Sequence, residues 1–153
     1  MTIHDLKLDD NYFNDVEKGK KKFEIRKNDR GFQVGDVLKL HRVFIDSTGC
    51  LFYGRKTQYS SGNVIEAVSE DRADTLKVKV VCVLSNLEVN EGIDFMNYNP
   101  KVSLFEDEAL PFLKAGWRND WDYNYFLSVL QEYFQVEHLP EDYVVLGVEM
   151  MEF

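Results

Sequence analysis

Lys22, Glu24 and Arg26 occupy alternate positions in the stretch GKKKFEIRKNDR, residues 19–30, with Phe23 and Ile25 as the apolar residues between them. On a strand this alternation sends the apolar side chains to one face and the charged ones to the other. A carboxylate between two cations orients them through charge-assisted hydrogen bonds and is itself a proton acceptor. That chemistry suits gripping an anionic ligand, or moving a proton on one. An ion-pair ladder on a solvated strand edge has the same pattern and contributes little stability. Residues 18–30 hold seven Lys or Arg against two acids, a net of +5 in a chain of net −9, which leaves −14 for the remainder. Charge sets partners and association rates rather than fold, so one basic patch on an acidic chain points to one anionic ligand.

Other chemistries have weaker signals. His4, His41 and His138 are scattered, and none forms a metal-type pair with another His or Cys, so no metal site and no cofactor are expected. His4 and His41 could still meet across neighbouring strands. There is no phosphate-loop or dinucleotide glycine pattern and no G-x-S-x-G elbow. The acidic runs at 66–74 and 106–108 suit solvated loops, or a surface that docks on a basic protein partner.

The elements that must position the motif follow from periodicity. Ile3, Leu6 and Leu8 predict a first strand, and Asp9 or Asp10 caps a helix whose Tyr12, Phe13 and Val16 share a face. Gly19 ends that helix, so the basic strand starts beside the helix's negative end. Residues 28–31 (NDRG) and 34–36 (VGD) are turns, and residues 37–44 are a strand joined to another at 51–56 by a turn at 47–49. Residues 59–74 read as a flexible polar connection. Leu76, Val78, Val80, Cys82 and Leu84 share one parity of a strand that enters the sheet interior. Residues 86–120 read as irregular, with one short helix at 106–114. Residues 122–135 form an amphipathic helix, and residues 143–151 a closing strand in which Gly147 marks a close backbone approach or a bulge.

At 153 residues, with 44% apolar and 29% charged side chains, the chain suits a single soluble domain spanning 1–153. Two cysteines make neither a disulfide framework nor a metal spacing, which favours a reducing, cytoplasmic setting. The N-terminus lacks an apolar targeting region, and the longest apolar run is five residues, so no membrane association is expected. Five or six strands, short helices and no βαβ alternation predict an α+β fold built on a small, mostly antiparallel barrel.

The motif, followed by Phe32, Val34, Gly35 and Asp36, resembles the signature of ASCH-related families in the PUA-like superfamily. It is most similar to a small domain-of-unknown-function family marked by an EIRKNDR-type strand and turn. His4 to Lys7 and the closing strand around Val144 to Val148 share in the resemblance, and residues 86–140 look like an insertion. The resemblance implies a PUA-like, ASCH-type β-barrel with short flanking helices and an RNA-binding cleft lined by the motif. The ASCH G-x-K-x-x-E-x-R pattern falls on Gly19, Lys21, Glu24 and Arg26, whereas strict alternation selects Lys22; a bulge after Gly19 reconciles the two in favour of Lys21. Some ASCH relatives are amidohydrolases on acylated cytidine nucleosides, and Glu24 stands where they carry threonine.

The expected function is therefore RNA or nucleotide binding in a basic cleft by Lys21, Lys22, Glu24, Arg26, Asn28, Asp29 and Arg30. Net acidity disfavours broad binding to duplex DNA, so a short, single-stranded or flipped-out ligand is expected. The alternative is a small amidohydrolase on a modified nucleoside, with Lys21 and Glu24 as the catalytic pair. A third reading is an acidic protein-interaction module.

Overall fold

The computed structural model describes residues 1–60, 62–98, 121–135 and 137–151. The elements begin with β1 (Ile3–Asp9), α1 (Asp10–Glu17), β2 (Phe23–Lys27), β3 (Val37–Ile45), β4 (Leu51–Tyr59) and β5 (Gly62–Val68). A 3-10 turn (Glu70–Arg72) leads to β6 (Thr75–Ser85), α2 (Asn86–Tyr98), α3 (Tyr123–Phe134) and β7 (Tyr143–Met150). This is an α+β chain with seven strands and three helices among the described residues. The paired strands are antiparallel apart from β1 with β3.

These residues fall into two compact units, one of 1–21, 35–79 and the described part of 149–153, the other of 22–34 and the described part of 80–148. In the first, β3 takes β1 in parallel register, Ile3 opposite Val37 to Asp9 opposite Val43, and pairs antiparallel with β4 and the start of β6. Leu6, Leu8, Leu38, Leu40, Leu76 and Val78 are buried, as period-two alternation requires. Asp9 caps α1 by accepting from Asn11 N at 2.8 Å, and the helix buries Tyr12, Phe13 and Val16 as expected. Arg42 is buried on the same parity of β3 as Leu38 and Leu40. Its guanidinium lies 4.0 Å over the Phe13 ring, donates Nε to Asp74 at 2.9 Å and pairs with Asp10. Asp74, placed by sequence in a solvated acidic run, is thus half of an ion pair with a buried cation.

In the second unit β2 pairs antiparallel with β7, which neighbours β6. Phe23, Leu84, Val89, Ile93, Phe126 and Leu146 are buried there. Asp122 caps α3 by accepting from Tyr125 N at 3.0 Å, and Gln135, at φ +56°, ends it.

The structure corrects several expectations. Residues 59–74 are not a loop: Gly62–Val68 is a seventh strand, paired with β4 from Tyr53 opposite Val68 to Tyr59 opposite Gly62. Its apolar residues, Val64, Ile65, Ala67 and Val68, fall on both parities and show no period of two, and pairing with β4 sets the strand. Residues 86–98 form α2, where irregular chain was expected. The short helix at 106–114, the acidic run at 106–108 and Trp117 lie outside the described residues. No pairing among the described residues closes either set of strands on itself: β5 pairs β4 alone and β2 pairs β7 alone. The hydrogen bonds therefore draw open strand sets, and the coarser expectation of a mostly antiparallel α+β fold is the one that holds.

Candidate functional site

The approach to the motif is built by the end of α1. Gly19, at φ +78°, turns the chain so that its own N donates to Val16 O at 3.1 Å and Lys20 N to Asp15 O at 2.9 Å. These two bonds make a Schellman closure, which satisfies the last helix carbonyls and lets the chain leave the helix at a fixed angle. Lys21 N also donates to Asp15 O, at 3.0 Å, and the Lys21 side chain is driven inside, 1% exposed, with Nζ 5.3 Å from the Tyr12 ring centroid. A lysine with its ammonium against an aromatic face keeps favourable electrostatics where water is scarce. Lys22 is half-buried instead, and its carbonyl accepts from Val148 N at 3.0 Å. The expected bulge is instead this helix-ending turn, and both lysines precede β2, whose first residue is Phe23.

On β2, Phe23 and Ile25 are buried as the alternation predicts, and Glu24 and Arg26 share the opposite parity. Glu24 does not face solvent: it is 1% exposed, so β2 is covered on both faces at this point. What makes burial of the carboxylate tolerable is Arg26, which donates both Nε at 3.2 Å and Nη2 at 3.0 Å to Glu24 Oε2. The Arg26 side chain keeps 21% of its surface open. Asn28 N donates to Asp142 O at 2.7 Å and closes the strand, after which Asn28, Asp29 and Arg30 are exposed and Gly31 turns at φ +61°. Phe32 is buried and pins the far side of the turn.

The strand is held in place by its apolar residues. The Phe23 ring meets Phe126 at 4.9 Å, Trp121 at 5.6 Å and Tyr125 at 6.0 Å between centroids. Opposite Phe23 on β7 is Gly147, and a Cβ there would lie 2.4 Å from Cys82 Sγ and 3.2 Å from the Trp121 ring. The glycine inside an apolar strand marks a close approach, not a bulge.

The sequence left open that His4 and His41 meet across strands. They do not: His4 lies in register with Leu38, and His41 with Lys7, on opposite parities of β1. His4 Nε2 is 3.0 Å from Asp36 Oδ2 in a buried pair, with Thr2 N donating to Asp36 Oδ1 at 3.1 Å. His41 meets carboxylates instead, with Nε2 2.8 Å from Asp5 Oδ1 and 4.0 Å from Glu70 Oε1. Sequence reasoning missed this trio because it sought His and Cys pairs, and the acids come from β1 and the 3-10 turn, far along the chain.

No helix among the described residues is long and apolar enough to cross a membrane. An uncharacterized 12.9 kDa protein in the GpA 3'region of Escherichia phage P2 is 43% identical over 56 residues, 37% of this chain and 48% of that protein. The match thus spans about half the length of that relative. Two solved structures align over nearly the whole chain: the crystal structure of hypothetical protein PH0355 (15% identity, TM-score 0.41, 98% of this chain, 100% of that one) and the solution NMR structure of protein PF0455 from Pyrococcus furiosus (14%, 0.42, 99% and 100%). The model of the domain of unknown function DUF3850 matches residues 3–85, from the first residue of β1 to the last of β6, with the whole basic motif inside it. With more than half of its length matched, the chain belongs to the DUF3850 family.

Proposed function

We propose that this protein is a PUA-like, ASCH-related domain that binds RNA or a nucleotide through the basic motif. The observation that carries the reading is the Glu24–Arg26 pair: a carboxylate 1% exposed fixes a guanidinium that still reaches the surface. A cation held in one orientation loses less entropy on meeting a phosphate than a solvated lysine does, which is the use of preorganisation in recognition. Asn28, Asp29 and Arg30, exposed on the turn that follows, supply further polar contacts, and Lys21 and Lys22 enter through the motif. The same pair argues against the amidohydrolase alternative. Glu24, tied to a guanidinium, is placed to orient a base rather than to exchange protons, and the threonine of those enzymes is absent here.

The test is the salt dependence of binding to short single-stranded RNAs. Arg30→Ala, on an exposed residue, should flatten the log–log slope by about 0.7, the share of one phosphate on a single strand. Arg26→Ala alone leaves the Glu24 carboxylate buried without its guanidinium and should cost about 3–5 kcal/mol of stability. The site is therefore probed with Arg26→Gln and Glu24→Gln combined, which should weaken binding while the chain stays folded. Binding unmoved by that double variant and by Arg30→Ala would sink the proposal and leave the acidic surface as the better account. Turnover of an acylated cytidine, lost in Glu24→Gln with the ligand still bound, would install the amidohydrolase reading instead.

A further inference from the structure

We propose that Asp5, His41 and Glu70 form a binding site for a divalent transition-metal ion. The site is independent of the basic motif, and all three donors belong to the first unit. β1 brings Asp5, β3 brings His41 and the 3-10 turn brings Glu70, with the three ligand atoms within 4.8 Å of one another.

The tautomer of His41 carries the argument. Its Nδ1 is 2.8 Å from Thr75 Oγ1, and that hydroxyl lies 3.1 Å from Ala73 O, to which it donates. A hydroxyl has one proton, so with that proton on Ala73 O it can only accept from His41, and Nδ1–H is the donor. The lone pair is then on Nε2, which faces Asp5 Oδ1 at 2.8 Å and Glu70 Oε1 at 4.0 Å. Three electron-rich atoms face one another, and a cation among them would be held by all three. A proton on Nε2 joins His41 to Asp5 in a hydrogen bond and leaves Glu70 at 4.0 Å as an ion-pair neighbour only. A metal ion uses all three, and an imidazole whose second nitrogen is fixed by a hydrogen-bonded neighbour is how metal-binding histidines are held.

Burial and field agree with this. His41 is 8% exposed, whereas the Asp5 and Glu70 side chains are 56% and 53% exposed, so the nitrogen is fixed and the carboxylates can adjust. Donors that share an ion at about 2.1 Å stand roughly 3.0–3.4 Å apart, so relative to His41 Glu70 closes by roughly 0.6–1 Å and Asp5 opens by roughly 0.2–0.6 Å. Tyr53, whose ring lies edge-on to His41, has its phenol pushed up by burial and then by the negative fields of Glu70 and Asp5, so the two acids act on one place. One nitrogen and two carboxylate oxygens suit zinc, manganese or iron rather than a soft ion, and leave positions for water or an anionic oxygen ligand. Lys39 is in register with Asp5, and Lys7 with His41, so these lysines temper the affinity without supplying a donor.

The experiment uses the full chain, stripped with a chelator and titrated with cobalt(II), zinc(II) and manganese(II), with magnesium(II) for comparison. Binding is followed by calorimetry and by the visible absorption of the cobalt form. The expected result is one ion per chain, with Glu70→Gln, Asp5→Asn and His41→Gln each weakening affinity by about tenfold or more. His138→Gln, which removes the exposed pair of His138 with Asp94 at 2.7 Å, should change nothing. Thermal melts report folding. Glu70→Gln alters an exposed side chain, so its effect reads the site even where His41→Gln fails to fold. Absence of stoichiometric binding, binding abolished by His138→Gln, or binding indifferent to Glu70→Gln and Asp5→Asn would each overturn the proposal and leave the trio an ion pair.

Discussion

Glu24 shows how a one-residue change of setting alters what a charge can do. On a solvated strand edge its pairing with Arg26 would contribute almost nothing. At 1% exposure the pairing matters far more, because losing the Arg26 guanidinium takes a charge-assisted partner from a carboxylate that water hardly reaches. The period-two pattern made the pairing of Glu24 with Arg26 legible, but not the burial, which comes from packing on both faces of β2. Gly147 is the complementary case: its position in an apolar strand was readable as a close approach, while the atoms that approach it were not. Gly147→Ala would force a Cβ to within 2.4 Å of Cys82 Sγ and should destabilise the fold by about 1–3 kcal/mol in urea denaturation. Combining it with Cys82→Ala should recover part of that loss, and strict additivity of the two changes would show that this contact is not the cause.

At the scale of elements, the misreadings have separate causes. α2 was legible: Ser85-Asn86-Leu87-Glu88 is a capping box, and the structure closes it with Glu88 N donating to Ser85 Oγ at 3.2 Å and Ser85 N to Glu88 Oε1 at 3.3 Å. Val89 and Ile93, four apart and fully buried, supply the apolar face. The signal was hidden because the box lies on the last residue of a strand, where a helix start was not sought. Ser85→Ala should cost about 0.5–2 kcal/mol and speed amide exchange in the first turn of α2, and unchanged exchange there would show that the cap is idle. β5 had no such local mark. Its only strong statement is its register with β4, and register is a property of two segments at once.

At the scale of the molecule, the family match ends at residue 85, yet β2 inside it takes its strand partner, β7, from outside it. Phe23 likewise spends its burial against Trp121, Tyr125 and Phe126, all beyond the match. The segment that reads as an insertion therefore covers the strand bearing the motif. Deleting residues 86–135 should expose Phe23 and yield aggregate on size-exclusion chromatography, whereas a soluble, cooperatively melting product would show the segment to be dispensable. The sequence alone determined most strands, two of the helices, the caps of the first of them, and the grouping of Glu24 with Arg26, because each follows from backbone periodicity and turn chemistry within a few residues. Only the tertiary structure decided that no pairing among the described residues closes the strands on themselves, that Glu24 is buried, and that Asp5, His41 and Glu70 converge. Those outcomes depend on which distant segments pair and in what register, and no local spacing encodes them.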